Sequence, residues 1–138
     1  MEQFLKVYQD LKLENIESIE EIYSQDIHFI DPAHEIEGLA ALRDYFENLY
    51  KNIDHIHFDF LHPARIENEG YVQWTMTFSH PRIKGGQSIP VPGTSFLKFS
   101  TDDKVYFHRD YFDLGSMLYQ HLPVLGTIIK SINRRLGS

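Results

Sequence analysis

Near the end of this 138-residue chain, His108 and Asp110 stand two residues apart in the run Phe107-His108-Arg109-Asp110-Tyr111-Phe112. Strand alternation would place Tyr106, His108, Asp110 and Phe112 on one face, and Val105, Phe107, Arg109 and Tyr111 on the other. Both faces carry aromatic rings, so both are expected to be covered. A carboxylate and an imidazole on a covered face must be desolvated, paired or set against a cavity, because an unpaired buried charge is too costly. Such a pair can do general acid–base work, with Asp110 as the carboxylate and His108 as a base or an orienting partner. The plainer alternative is a satisfied core histidine, with Asp110 held by His108 or Arg109.

A second carboxylate, Asp31, lies between the apolar run Ile27 to Ile30 and Pro32. Asp before Pro is ordinary turn chemistry, the side chain bonding local backbone. Suppose instead that Asp31 and Asp110 face one apolar cavity, walled by Trp74, Met76 and Phe112 with Phe58 from a neighbouring strand. Their environments would then differ enough for one to act as acid and the other as base. Tyr8 would be a hydrogen-bond donor to such a site, or simply a ring packed on a helical stripe. His55, His57, His62 and His80 lack the spacing of a metal site, and no phosphate-binding glycine loop or serine nucleophile elbow is present, so neither metal nor cofactor is expected.

The elements that must position these residues follow from periodicity. Phe4, Val7, Tyr8 and Leu11 recur at helical spacing, as do Ile16, Ile19, Ile22 and Tyr23, which predicts two short opening helices. A brief strand over Ile27 to Ile30 ends at Asp31-Pro32. A loop through Gly38 leads to a third helix with Leu42, Tyr45, Phe46 and Leu49 on its stripe. The period then becomes two: Ile56, Phe58 and Phe60 in one strand, Val72, Trp74, Met76 and Phe78 in the next, with Glu69-Gly70 as the turn between them. Pro90 and Pro92 suit only an edge or a bulge, so the third long strand is placed at Thr94 to Ser100 and the fourth at Val105 to Asp113. Helices first and a bent antiparallel sheet second predict an α+β fold.

Composition narrows the function. With 42% hydrophobic residues, ten Phe and eight Tyr, the chain can build one globular domain and wall a pocket. The absence of cysteine excludes disulfides and thiolate chemistry. The first residues, Met-Glu-Gln-Phe-Leu-Lys, show no signal pattern, and a cytoplasmic location is expected. A net charge of −7 disfavours nucleic acid as a partner. The acidity is uneven, because residues 1 to 70 hold sixteen acidic and five basic side chains whereas residues 71 to 138 hold four and eight.

The order helix, helix, Asp-Pro loop, helix and strand meander, over roughly residues 4 to 114, resembles the nuclear transport factor 2-like superfamily. That superfamily wraps a curved sheet around helices into a cone with a deep pocket, and includes ketosteroid isomerases, limonene epoxide hydrolases, scytalone dehydratase and SnoaL-like polyketide cyclases. The segment from His28-Phe29-Ile30-Asp31-Pro32 to Leu42-Arg43-Asp44-Tyr45-Phe46 is similar to the ketosteroid isomerase segment bearing the general base. This match implies that Asp31 shuttles protons and that Tyr8 falls at the oxyanion-hole tyrosine. Thr94 falls near the second acid of that site and would donate from a hydroxyl. Arg109-Asp110-Tyr111-Phe112-Asp113 resembles the terminal strand of epoxide hydrolases and SnoaL-like proteins, in which the residue matching Asp110 activates water. The hydrolases' Arg-x-Asp pair has no counterpart among Gln73, Trp74, Thr75 and Met76.

These readings predict one domain over residues 1–138, a core cone over 1–114 and a C-terminal helical extension over 115–138 that is broken at Pro123. The expected function is cofactor-free isomerisation, dehydration or cyclisation of a small, largely apolar molecule in a homodimeric SnoaL-like protein. In the extension, Leu118, Leu122, Leu125, Ile129, Ile132 and Leu136 form an apolar stripe with basic residues near its end. Packing over the cone mouth or across a dimer is its expected role. The rival reading is a non-catalytic module that contacts a protein or membrane through these helices.

Overall fold

The computed structural model describes residues 1–137. Helix α1 (Glu2–Asp10) is followed by 3-10 turns over Leu13–Glu21, then β1 (Tyr23–Ile30), β2 (Glu35–Glu37) and α2 (Leu39–Asn52). The strands β3 (His55–Ile66), β4 (Glu69–Ser79), β5 (Ile89–Phe99) and β6 (Val105–Phe112) follow, then α3 (Leu114–Met117) and α4 (Pro123–Leu136). The six strands form one curved sheet in the order β2-β1-β6-β5-β4-β3. This is the expected α+β architecture, with helices packed on the sheet's inner face.

Alternation explains that face. Val72 and Trp74 of β4 and Leu97 and Phe99 of β5 point inward and are buried, meeting Phe4, Ile19, Leu42 and Phe46 from the helical layer, while Ile89 and Val91 of β5 are buried in a second cluster with Phe78. All pairings are antiparallel except β1 with β6, which run parallel with Phe29 opposite His108 and Ile30 opposite Arg109. That single parallel pair sets Asp31, one residue beyond β1, beside the strand that carries Asp110.

Several expectations are corrected. The second helix is a run of 3-10 turns, and Tyr23 leaves it to begin β1. The β3–β4 turn is Glu67–Asn68, with Glu67 in the left-handed region at φ 55°, while Glu69 and Gly70 belong to β4. Strand β5 runs unbroken through Pro90 and Pro92, since its β6 partner stops at Gly93 and leaves that half an edge. Asp113 lies outside β6 and instead caps α3, its carboxylate accepting from the Ser116 N–H. A register shift at the start of β6 leaves Tyr106 unpaired, so buried Val105 shares the inner side with His108 and Tyr106 is exposed. The outer face of β6 is not covered by the chain, for Tyr111 is 52% exposed.

Candidate active site

A chain of side-chain hydrogen bonds crosses the inner face of the sheet. Trp74 Nε1–H donates to Ser95 Oγ at 2.8 Å, and the Ser95 hydroxyl donates to Asp110 Oδ1 at 2.5 Å. His108 Nε2 lies 2.6 Å from the same Oδ1, and His108 Nδ1 lies 2.6 Å from the Tyr23 hydroxyl. One proton arrangement satisfies every member. A carboxylate only accepts, so Nε2 carries the hydrogen, Nδ1 is left as an acceptor, and Tyr23 must donate to it. Burial, with the nearby Asp110 charge adding to it, pushes the Tyr23 phenol well above its ordinary pKa and keeps that donor protonated.

Local sequence places each member. Ser95 and Asp110 are register partners across β5 and β6, and Trp74 stands opposite Gly93, two residues from Ser95. The indole lies flat over Gly93, where a Cβ would meet ring carbon at 2.2 Å. His108 is 1% exposed and enclosed by rings, with Phe29 at 4.7 Å, Phe4 at 5.7 Å and Tyr8 at 6.0 Å between centroids. Among the described residues Asp110 Oδ2 has no hydrogen-bond partner, and Asp110 lines a cavity of about 200 Å³.

The walls of that cavity are apolar, including Phe29, Phe46, Phe58, Trp74, Met76 and Phe112. Asp31 lines it too, so both carboxylates reach one cavity bounded by the expected Trp74, Met76, Phe112 and Phe58. They are held differently. Asp31 Oδ1 accepts from the Ala33 and His34 backbone N–H groups, each at 2.8 Å, with His34 Nδ1 at 3.2 Å, and Oδ2 accepts from the Tyr45 hydroxyl at 2.7 Å. Burial and then the Asp31 hydrogen bond raise the Tyr45 phenol above its usual range. The turn chemistry is therefore present, and in addition it pins the carboxylate at the cavity wall.

Tyr8 lines the cavity with its ring 5.2 Å from Phe58, and burial raises its phenol well above the ordinary value. Tyr50, on α2, shares both properties. Neither hydroxyl has a protein hydrogen-bond partner among the described residues, and both remain protonated donors. Thr94 is a correction. It belongs to the opposite parity of β5 and lines a separate shallow depression on the outer side with Gln73 and Thr75, so the inward hydroxyl is that of Ser95.

Tyr23, Ser95, Tyr45 and Tyr50 were missed as site residues. Ser95 was detectable, since it shares the parity of Ile89, Val91, Leu97 and Phe99. Tyr23 was hidden by fitting a helical stripe equally well.

A curved sheet over three N-terminal helical segments, with its cavity against the inner face, is the nuclear transport factor 2-like fold. The sequence profile of the SnoaL-like domain matches residues 2–108, and the chain belongs to that family. Solved structures agree in fold. A Jannaschia sp. CCS1 protein described as a SnoaL-like polyketide cyclase is 16% identical, with 84% of this chain and 86% of that one covered at a TM-score of 0.72. A Catenulispora acidiphila protein with a ketosteroid isomerase-like fold, solved with trimethylamine, is 14% identical over 85% and 88% at 0.72. An Exiguobacterium sp. 255-15 protein of the same fold and unknown function is 13% identical over 82% and 97% at 0.69. No curated protein matches the chain.

Proposed function

We propose that the protein binds a small, largely apolar molecule in this cavity and carries out cofactor-free acid–base chemistry on it, an isomerisation, dehydration or cyclisation. The observation that carries the reading is the ordered chain Trp74–Ser95–Asp110–His108–Tyr23. It directs two donors at Asp110 Oδ1 and leaves Oδ2 toward an apolar cavity. A carboxylate so placed acts as a base on an acidic C–H, with His108 and Tyr23 fixing its orientation and spreading the charge it loses or gains. Tyr8 supplies a donor to developing negative charge on the substrate. Asp31, already accepting at both oxygens, serves as the second carboxylate near the wall. At about 200 Å³ the cavity lies below the roughly 300–1,000 Å³ of drug-sized sites, which favours a compact occupant.

The test is Asp110→Asn against a panel of small ketones and unsaturated carbonyl compounds, followed by deuterium exchange at carbon. The expected result is proton exchange lost by about 10²-fold or more with binding retained. Exchange unchanged in the variant, or no compound of the panel exchanging faster than in buffer, would sink the catalytic reading.

A second reading, a non-catalytic module acting through its C-terminal helices, is favoured by the exposed apolar face of α4. Homodimerisation through the outer face of the sheet is supported by the row Tyr71, Phe96, Phe107 and His28, whose successive ring centroids are 5.2, 6.0 and 5.5 Å apart. The cysteine-free composition suits a cytoplasmic setting.

A further inference from the structure

The apolar face of α4 is left largely open among the described residues. At about 100° per residue one sector of the helix, interrupted only by Arg135, holds Val124, Leu125, Ile128, Ile132 and Leu136. They are 74, 41, 50, 57 and 86% exposed. The helix is seated by another side: Gly126, its one buried residue, packs on the preceding turn Tyr119–His121, where a Cβ would stand 2.4 Å from the Gln120 carbonyl oxygen. The contact through a glycine fixes α4 with its apolar sector turned outward.

Charge distinguishes among the occupants this face could take. From Leu114 onward the sequence holds three basic residues and no acidic one, whereas the preceding part holds ten basic and twenty acidic. Lys130 and Arg134 lie across the helix from the apolar sector, on its polar face. A flat protein contact meets one face or the other. A lipid surface takes both at once, the apolar sector sinking to the acyl boundary while the long cationic side chains remain among anionic headgroups. No helix of the described residues is long and apolar enough to cross a membrane, so α4 would lie along the surface.

We propose that α4 is an interfacial anchor that docks the protein reversibly on a membrane surface rich in anionic lipid. The acidic remainder of the chain is repelled by such a surface, so docking rests on α4 and is salt-sensitive. Leu114, Met117 and Leu118 line the cavity and lead directly into α4, so docking sets one cavity wall beside the bilayer. The inference stands whether or not the cavity is catalytic.

The experiment is flotation of the full chain with vesicles of phosphatidylcholine alone and of phosphatidylcholine mixed with phosphatidylglycerol, at low and high salt. Binding is expected only with the mixed vesicles at low salt. It should weaken by roughly tenfold or more in Lys130→Gln/Arg134→Gln and in Ile128→Asn/Ile132→Asn. Circular dichroism shows whether each variant keeps its fold, and the charge variant decides alone if the apolar one does not. Failure to float with the mixed vesicles, or binding untouched by the charge variant, overturns the proposal. A sedimenting dimer that Ile128→Asn/Ile132→Asn dissociates, without lipid binding, would assign the face to a second copy of the chain.

Discussion

Asp110 Oδ1 accepts hydrogen bonds from Ser95 and His108, which in turn bond Trp74 and Tyr23, so the state of this one oxygen depends on residues in four strands. Ser95→Ala removes the acceptor of the buried Trp74 N–H and a donor to Asp110 together. It should cost about 1–3 kcal/mol in urea unfolding, the penalty of orphaning a buried polar group. An unchanged midpoint would mean that water takes over both roles. Tyr23→Phe leaves His108 Nδ1 without its donor while Asp110 still holds the hydrogen on Nε2, so nitrogen chemical shifts should keep the Nε2–H form and show Nδ1 losing its hydrogen bond. At this scale the sequence was half legible. His108 and Asp110 were recognisable because a polar pair interrupted an aromatic strand. Ser95 was passed over because the family resemblance pointed to its neighbour Thr94, and adjacent strand residues face opposite ways.

Among the elements, α2 and α4 have the same length and similar apolar stripes, yet only one buries its stripe. Leu42 is wholly buried against the sheet, whereas Ile132 is 57% exposed. Leu42→Ala should therefore cost about 2–5 kcal/mol, and Ile132→Ala should stay within about 0.5 kcal/mol. Equal thermal shifts for the two would show that α4 is packed in solution. Periodicity predicted both helices, because it reports a face that needs covering without identifying what covers it. Likewise it gave the four long strands but neither β2, which lies where a loop was expected, nor the bulge at Tyr106, which depends on pairing with β5 rather than on the local pattern.

Across the whole molecule, helices ahead of a meander were readable from the sequence, but the parallel β1–β6 pair was not. It joins segments about 80 residues apart and leaves no local period. Buried phenols gather in this region, with Tyr8, Tyr45 and Tyr50 lining the cavity and Tyr23 bonded to His108. Tyr8, Tyr23, Tyr45 and Tyr50 all have raised pKa values, chiefly through burial. A raised pKa means that the folded chain keeps protons the unfolded chain releases above about pH 10. Their stabilising contribution is complete below that pH and declines as pH rises further. Phenolate absorbance should therefore show these four tyrosines appearing together with loss of helical dichroism. Their gradual appearance in a still-folded protein would contradict the burial assigned to them. The placement of Trp74 has a different use. It is the only tryptophan in the chain, and its ring borders both the cavity and Phe112. Its intrinsic emission consequently reports on that wall, and a compound entering the cavity will shift or quench the signal before any substrate is known. The protein thus carries its own label-free sensor for ligand screening.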